Sequence, residues 1–264
     1  MLKSKKIYIL VASLLTLFLS VSYALARFNY SFNPNSGKLR TSEIINPSAD
    51  AVSQNKSQII QKVKPSDINK VAVKVNDVPL SYKLALLDIE LGVAGHIGTA
   101  KSVLEGNEFP GIDYERAQNI VLGKEDLRKN VVNEVLGRMI TQELYWQEAQ
   151  RKGYDVGEDK AREYAVSEFV KFKSLKDADP EQYAANMVYY EIILEILDMT
   201  EDEYLAWTVN ARRKELSIRE LANTMSTEEY TALGHKLLSD ANIQYVNMPP
   251  GGGVTILDYR GRTD

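Results

Sequence analysis

His96 and His235 are the only two imidazoles in the chain, and imidazole is the side chain best matched to general-base or zinc chemistry near neutral pH. Neither stands at a metal-ligand spacing from an Asp or Glu, and no cysteine supplies a thiolate. The acidic run Glu201-Asp202-Glu203 could hold a cation. It also directly follows Thr200, and three carboxylates in a first helical turn are accounted for by the positive end of the helix dipole. Gly251 to Gly253 have no Lys-Ser or Lys-Thr behind them, so they carry no phosphate-loop meaning, and no serine-nucleophile motif occurs. Catalytic residues, cofactors and metal ions are all expected to be none.

The remaining chemistry is apolar. Fifteen Tyr stand against six Phe, and Tyr145, Trp146, Tyr164, Tyr183, Tyr189, Tyr190, Tyr204 and Trp207 fall on segments of helical periodicity. Most such aromatics serve a core. The sharper reading places Trp146, Tyr189, Tyr190, Met187 and Trp207 along an apolar groove that holds extended polypeptides through contacts accepting many sequences. Met139 and Met199 would add adaptable surface.

The elements that must position these residues follow from spacing. Leu127, Val131, Val135, Met139, Ile140 and Leu144 recur at spacings of four, with Met139 and Ile140 adjacent, on one helical face, and Val132, Leu136 and Trp146 widen it. This predicts a central helix touched from two sides. Arg151 and Lys152 suit its carbonyl end, and Gly153 can take the left-handed conformation that stops it. Ahead of it, Val71, Val73 and Val75 alternate as a short strand. Asn76-Asp77 then turns the chain, Pro79 should end the ladder, and Ser81 caps a helix carrying Leu84, Leu87 and Leu91. Between 92 and 123 the glycines and Pro110 predict a loop with short helical pieces.

Behind the central helix, Ala161, Ala165, Phe169 and Phe172 mark another. Asp179-Pro180-Glu181-Gln182 predicts a capped start with Gln182 reaching back, followed by Tyr183, Met187, Tyr190, Leu194 and Leu197 at seam spacing. Thr200 to Glu203 and Ser226 to Glu229 repeat the capping signature, opening helices with Tyr204, Trp207, Ala211, Ile218 and Leu221, and with Tyr230, Leu233 and Leu237. A lone strand is unstable, and Ile243 to Val246 is the expected partner for 71–75.

Gln147-Glu148-Ala149, Gly153, Tyr154, Val156, Glu158 and Asp159, together with VAVKVNDVPLS before them and LLSDANIQYVN after, resemble the N-terminal chaperone domain of the SurA and PrsA extracytoplasmic foldases. The resemblance covers about residues 67 to 247. It implies a helical domain closed by its own terminal strands that binds non-native polypeptides. The family's parvulin-type prolyl isomerase module is missing, because the helix ending near Asn223 is followed at Ser226 by the next one. The absence of cysteine also departs from the lipid-anchored PrsA branch.

Lys3, Lys5 and Lys6, an apolar run from Ile7, and Ala24-Leu25-Ala26 are the parts of an export signal. A signal cleaved after Ala26 and an uncleaved anchor formed by residues 7–26 both fit, and either sends the chain outside the cytoplasm. Residues 27–66 are polar and read as a flexible tether, with a short helical piece around Ser57 to Val63 as the alternative for its end. The tail, 248–264, is broken by Pro249, Pro250 and glycines. With 44% apolar residues, 26% charged residues and a net charge of -4, the chain has an ordinary globular composition and no electrostatic case for a nucleic-acid partner.

The expected fold is mainly α, a bundle of about five to six helices closed by a two-stranded sheet. The expected partners are unfolded or partly folded exported polypeptides, with the membrane through the N-terminal segment if it stays uncleaved. The alternatives are a cell-surface structural protein binding one folded partner and, third, a residual isomerase.

Overall fold

A computed structural model describes residues 49–251, apart from Ile68, Glu108, Pro110 and Gly111, together with a two-residue antiparallel pair, Tyr30–Ser31 with Arg40–Thr41. The expected export segment lies outside the described residues. So do most of 27–48 and the end of the tail from 252. The described chain is mostly helical. In order it forms α1 (Ala49–Val63), β1 (Val71–Val75), β2 (Val78–Ser81), α2 (Tyr82–Leu104), α3 (Tyr114–Val121), α4 (Leu127–Arg151), α5 (Gly157–Ala178), α6 (Pro180–Leu197), α7 (Glu201–Ala222), α8 (Thr227–Asp240) and β3 (Ile243–Tyr245).

The sheet is antiparallel in the order β2-β1-β3, with Val73 opposite both Leu80 and Tyr245. The two ends of the domain therefore meet as the sequence predicts. The sheet has three strands rather than two, because Asn76 and Asp77 both take positive φ, 49° and 68°. That geometry makes a tight hairpin. Pro79 does not end the ladder. It sits opposite Lys74 in β2, an edge strand, where a missing N–H costs no interior hydrogen bond.

Local signals place most helix ends. The Ser81 hydroxyl accepts from Leu84 N at 3.3 Å, and full capping boxes open α7 at Thr200 and α8 at Ser226. Helix α4 stops as expected: Gly153 has φ +80°, Gly153 N donates to Gln150 O at 3.0 Å and Tyr154 N to Ala149 O at 2.8 Å. These two bonds satisfy carbonyls that the helix end would leave open.

Further expectations are corrected along the chain. Residues 92–104 are not a loop but the second half of α2, which runs through Gly92, Gly95 and Gly98. A Cβ on Gly92 would lie 2.8 Å from Val131 Cγ1, so there the glycine is what lets α4 approach. The tether is also shorter than 27–66. Residues 49–63 form α1, whose Val52, Ile59 and Val63 are buried in the main core. Their spacing of seven and four puts three apolar side chains on one face of an otherwise polar helix, enough to dock it on α2 and α6.

Helix α4 carries the architecture. Leu127, Val131, Val132, Val135 and Leu136 belong to the main core, Ile140 and Leu144 pack on the sheet, and Tyr145, Trp146 and Ala149 pack on α7 and α8. The residues behind the family resemblance are structural here. Gln147 accepts from Asn76 Nδ2 at 2.8 Å and donates to Val75 O at 3.2 Å, while Glu148 is paired with Arg151 at 2.6 Å. The first residues of the expected tail belong to the domain as well. Pro249 is buried, and Arg128 Nε donates to Pro250 O at 2.8 Å.

Candidate functional site

The aromatics collect where α5, α6 and α7 meet. Phe172 is central: its ring centroid lies 5.3 Å from Tyr183, 5.8 Å from Tyr190 and 6.1 Å from Phe169. Tyr190 continues edge-on to Tyr204 at 5.0 Å, and Tyr204 to Trp207 at 5.8 Å. Spacing explains the convergence. Phe169 and Phe172 lie three apart on α5, Tyr183 and Tyr190 seven apart on α6, and Tyr204 and Trp207 three apart on α7, so each pair shares a helix face.

A charged rim closes this cluster. Lys173 Nζ sits 5.0 Å from the Phe169 ring centroid and 5.6 Å from that of Tyr190, and it pairs with Glu201 at 2.6 Å. Tyr190 donates its hydroxyl proton to the same carboxylate at 2.9 Å. The hydrogen bond from Lys173, ahead of the one from Tyr190, holds Glu201 below the usual glutamate range. Burial first, and then the bond to Glu201, pushes the Tyr190 phenol up, so it stays a neutral donor. The acidic start of α7 thus serves the rim and the capping box.

The structure separates the five predicted contact residues. Trp146, Tyr189 and Tyr190 are buried, so they do not line an open groove. Trp146 packs with Tyr145, Ile218 and Tyr230 in a separate cluster, and Tyr189 and Tyr190 belong to the main core because α6 is covered on several sides. Met187 and Trp207 are half-buried against that core. Tyr190 and Trp207 join the aromatic cluster, linked through Tyr204.

What extends the cluster to the surface is a strip that the aromatic count passed over. Val166, Phe169 and Val170 share one face of α5, with Val166 41% and Val170 62% exposed and Phe169 half-buried between them. The signal was present in the spacing: Val166 and Val170 stand four apart, off the buried stripe of Ala161, Ala165 and Phe172. An exposed apolar strip of this kind can hold apolar segments of another chain by loose contact.

Compared with known proteins, the chain matches no family profile, no curated protein and no solved structure.

Arg212 is buried on α7, ion-paired with Glu168 at 2.5 Å and with Glu215, and its guanidinium lies 5.6 Å from the Tyr164 ring centroid. Burial raises the Glu168 carboxyl, and Arg212 acts against that rise. His96 is half-buried and pushed toward its neutral form first by desolvation. Among the described residues no group of three or more His, Cys, Asp or Glu is placed to hold a metal ion, and no helix is long and apolar enough to cross a membrane.

Proposed function

We propose that the chain is an exported, chaperone-like protein that binds non-native polypeptides without catalysis, tethered to the membrane if its N-terminal segment is retained. The observation that carries this reading is the exposed Val166–Phe169–Val170 strip on α5, whose Phe169 ring packs on the buried Phe172 and Tyr190. Binding would be reversible burial of apolar client segments on that strip. Each contact is weak and non-directional, so many sequences are accepted. The resemblance to SurA-like and PrsA-like domains supports the same reading through its quoted residues and the pairing of the domain's terminal strands.

The test is suppression of aggregation by the full chain, with several unrelated unfolded proteins as clients and a prolyl isomerisation assay alongside. Protection of unrelated clients without isomerisation is the expected result. Failure to protect any client sinks the reading, and protection of one alone favours a dedicated partner.

A further inference from the structure

The sheet β2-β1-β3 has two outer edges, and they are built differently. On β2, Pro79 stands opposite Lys74, and proline has no N–H to offer a further strand. On β3 and its flanks, the run Asn242-Ile243-Gln244-Tyr245-Val246-Asn247 contains neither a proline nor a charged residue. Proline and charge are the usual guards of a strand edge. The β2 edge is guarded and the β3 edge is not.

The register fixes which groups β3 presents. Val246 N donates to Ala72 O at 2.9 Å and Asn76 N donates to Asn242 O at 2.9 Å, with Gln244 opposite Lys74 between them. In an antiparallel ladder the main-chain groups of successive residues point alternately toward one neighbour and away from it. Asn242, Gln244 and Val246 therefore face β1, and the N–H and C=O groups of Ile243 and Tyr245 point outward. Among the described residues no main-chain group bonds to them. Solvent reaches this edge: Asn242 and Gln244 are exposed, Val246 is 50% exposed, and Ile243 and Tyr245 are half-buried.

We propose that β3 is a dimer edge, pairing antiparallel with β3 of a second copy about a twofold axis at Gln244. The edge is complementary to itself in that register. Ile243 faces Tyr245 of the other copy and Tyr245 faces its Ile243, so the outward donors and acceptors of both strands are satisfied together. Each of these is a β-branched residue against an aromatic one, a favourable cross-strand pair. Gln244 meets its own counterpart at the closely spaced position between them, and two such amides can each donate to the other's carbonyl. Growth of β3 onto the β2 edge of another copy is blocked by Pro79, so the assembly closes as a pair instead of extending as a fibre. The edge is short, and the pair is accordingly weak and concentration-dependent. This inference is independent of the client-binding strip on α5.

The test exploits the absence of cysteine from the chain. Gln244→Cys places one thiol per molecule on the axis, where the opposed Cα atoms would lie about 4.5 Å apart, within disulfide reach. Oxidised with diamide, the full chain carrying Gln244→Cys should form a disulfide-linked dimer at least about fivefold faster than the chain carrying Glu228→Cys, an exposed position on α8. Equal rates overturn the proposal, as they would if a client or another segment of the chain occupied the edge instead. A second measurement uses Gln244→Lys and Gln244→Glu, each of which sets like charges across the axis at an exposed position and should leave the melting temperature unchanged. Sedimentation equilibrium should show the dimer weakened several-fold in either variant alone and recovered in their equimolar mixture. A mixture no more associated than either variant overturns the twofold pairing.

Discussion

Arg128 Nη2 donates at 2.5 Å to Oε1 of Glu90, a carboxylate 3% exposed whose other oxygen accepts from Lys62 Nζ at 3.1 Å. Lys62 belongs to α1, and Arg128 also holds the carbonyl of Pro250. One buried carboxylate on α2 thus ties the first described helix and the end of the described chain to the same point. Removing it leaves Arg128 half-buried without its anion. Glu90→Gln is expected to cost about 1–3 kcal/mol, read from the urea midpoint.

The same residue sets a pH dependence. Burial pushes the Glu90 carboxyl up, but the hydrogen bonds and charges of Arg128 and Lys62 more than offset this, and its net value lies below the ordinary range. A folded-state value below the unfolded one gives stability that is full above the unfolded value and lost as pH falls through the folded one. Glu168, raised by burial, has the opposite sign and loses stability as pH rises through its own shifted range. Denaturant midpoints below about pH 4.3 should therefore fall less steeply in Glu90→Gln than in the unsubstituted chain.

Helix α1 is structural rather than a linker, which Ile59→Ala can decide. A residue buried in the main core should cost about 2–4 kcal/mol on truncation, whereas a residue in a flexible tether would cost nothing measurable by thermal unfolding.

Gly234 on α8 has no room for a side chain. A Cβ there would meet the Tyr145 hydroxyl at 2.4 Å, and that ring is fixed by stacking on Tyr230 at 4.4 Å and by donating to Tyr230 O at 2.8 Å. Gly234→Ala should destabilise by about 1–3 kcal/mol. Tyr145→Phe in the same chain should return part of the loss, because it removes the atom in conflict. The thermal midpoints of the single and double variants give the coupling.

The strip on α5 allows a separation of binding from stability. Val166→Lys with Val170→Lys replaces two exposed side chains, so stability should change by no more than about 0.5 kcal/mol for each substitution. Protection of aggregating clients should drop several-fold. Undiminished protection by a folded double variant would move the binding surface elsewhere.

The sequence by itself determined the features that close over three or four residues. Ser81, Asp179, Thr200 and Ser226 cap helices because a side-chain oxygen reaches a backbone N–H three residues on, and Gly153 ends α4 because it alone there tolerates a positive φ without cost. The alternation of Val71, Val73 and Val75 likewise specifies a strand, and of its expected partner, Ile243 to Val246, residues Ile243–Tyr245 form the ladder. Tertiary structure decided the rest. Gly92 reads as a helix breaker until Val131 is seen to occupy the space of its missing Cβ. Tyr189 and Tyr190 read as groove residues until α6 is seen covered by its neighbours, and Gln182 reads as a cap until its side chain is found inside. Burial depends on what packs from far along the chain, whereas a cap depends on the next turn, and for this reason the helix ends were legible and the surface was not.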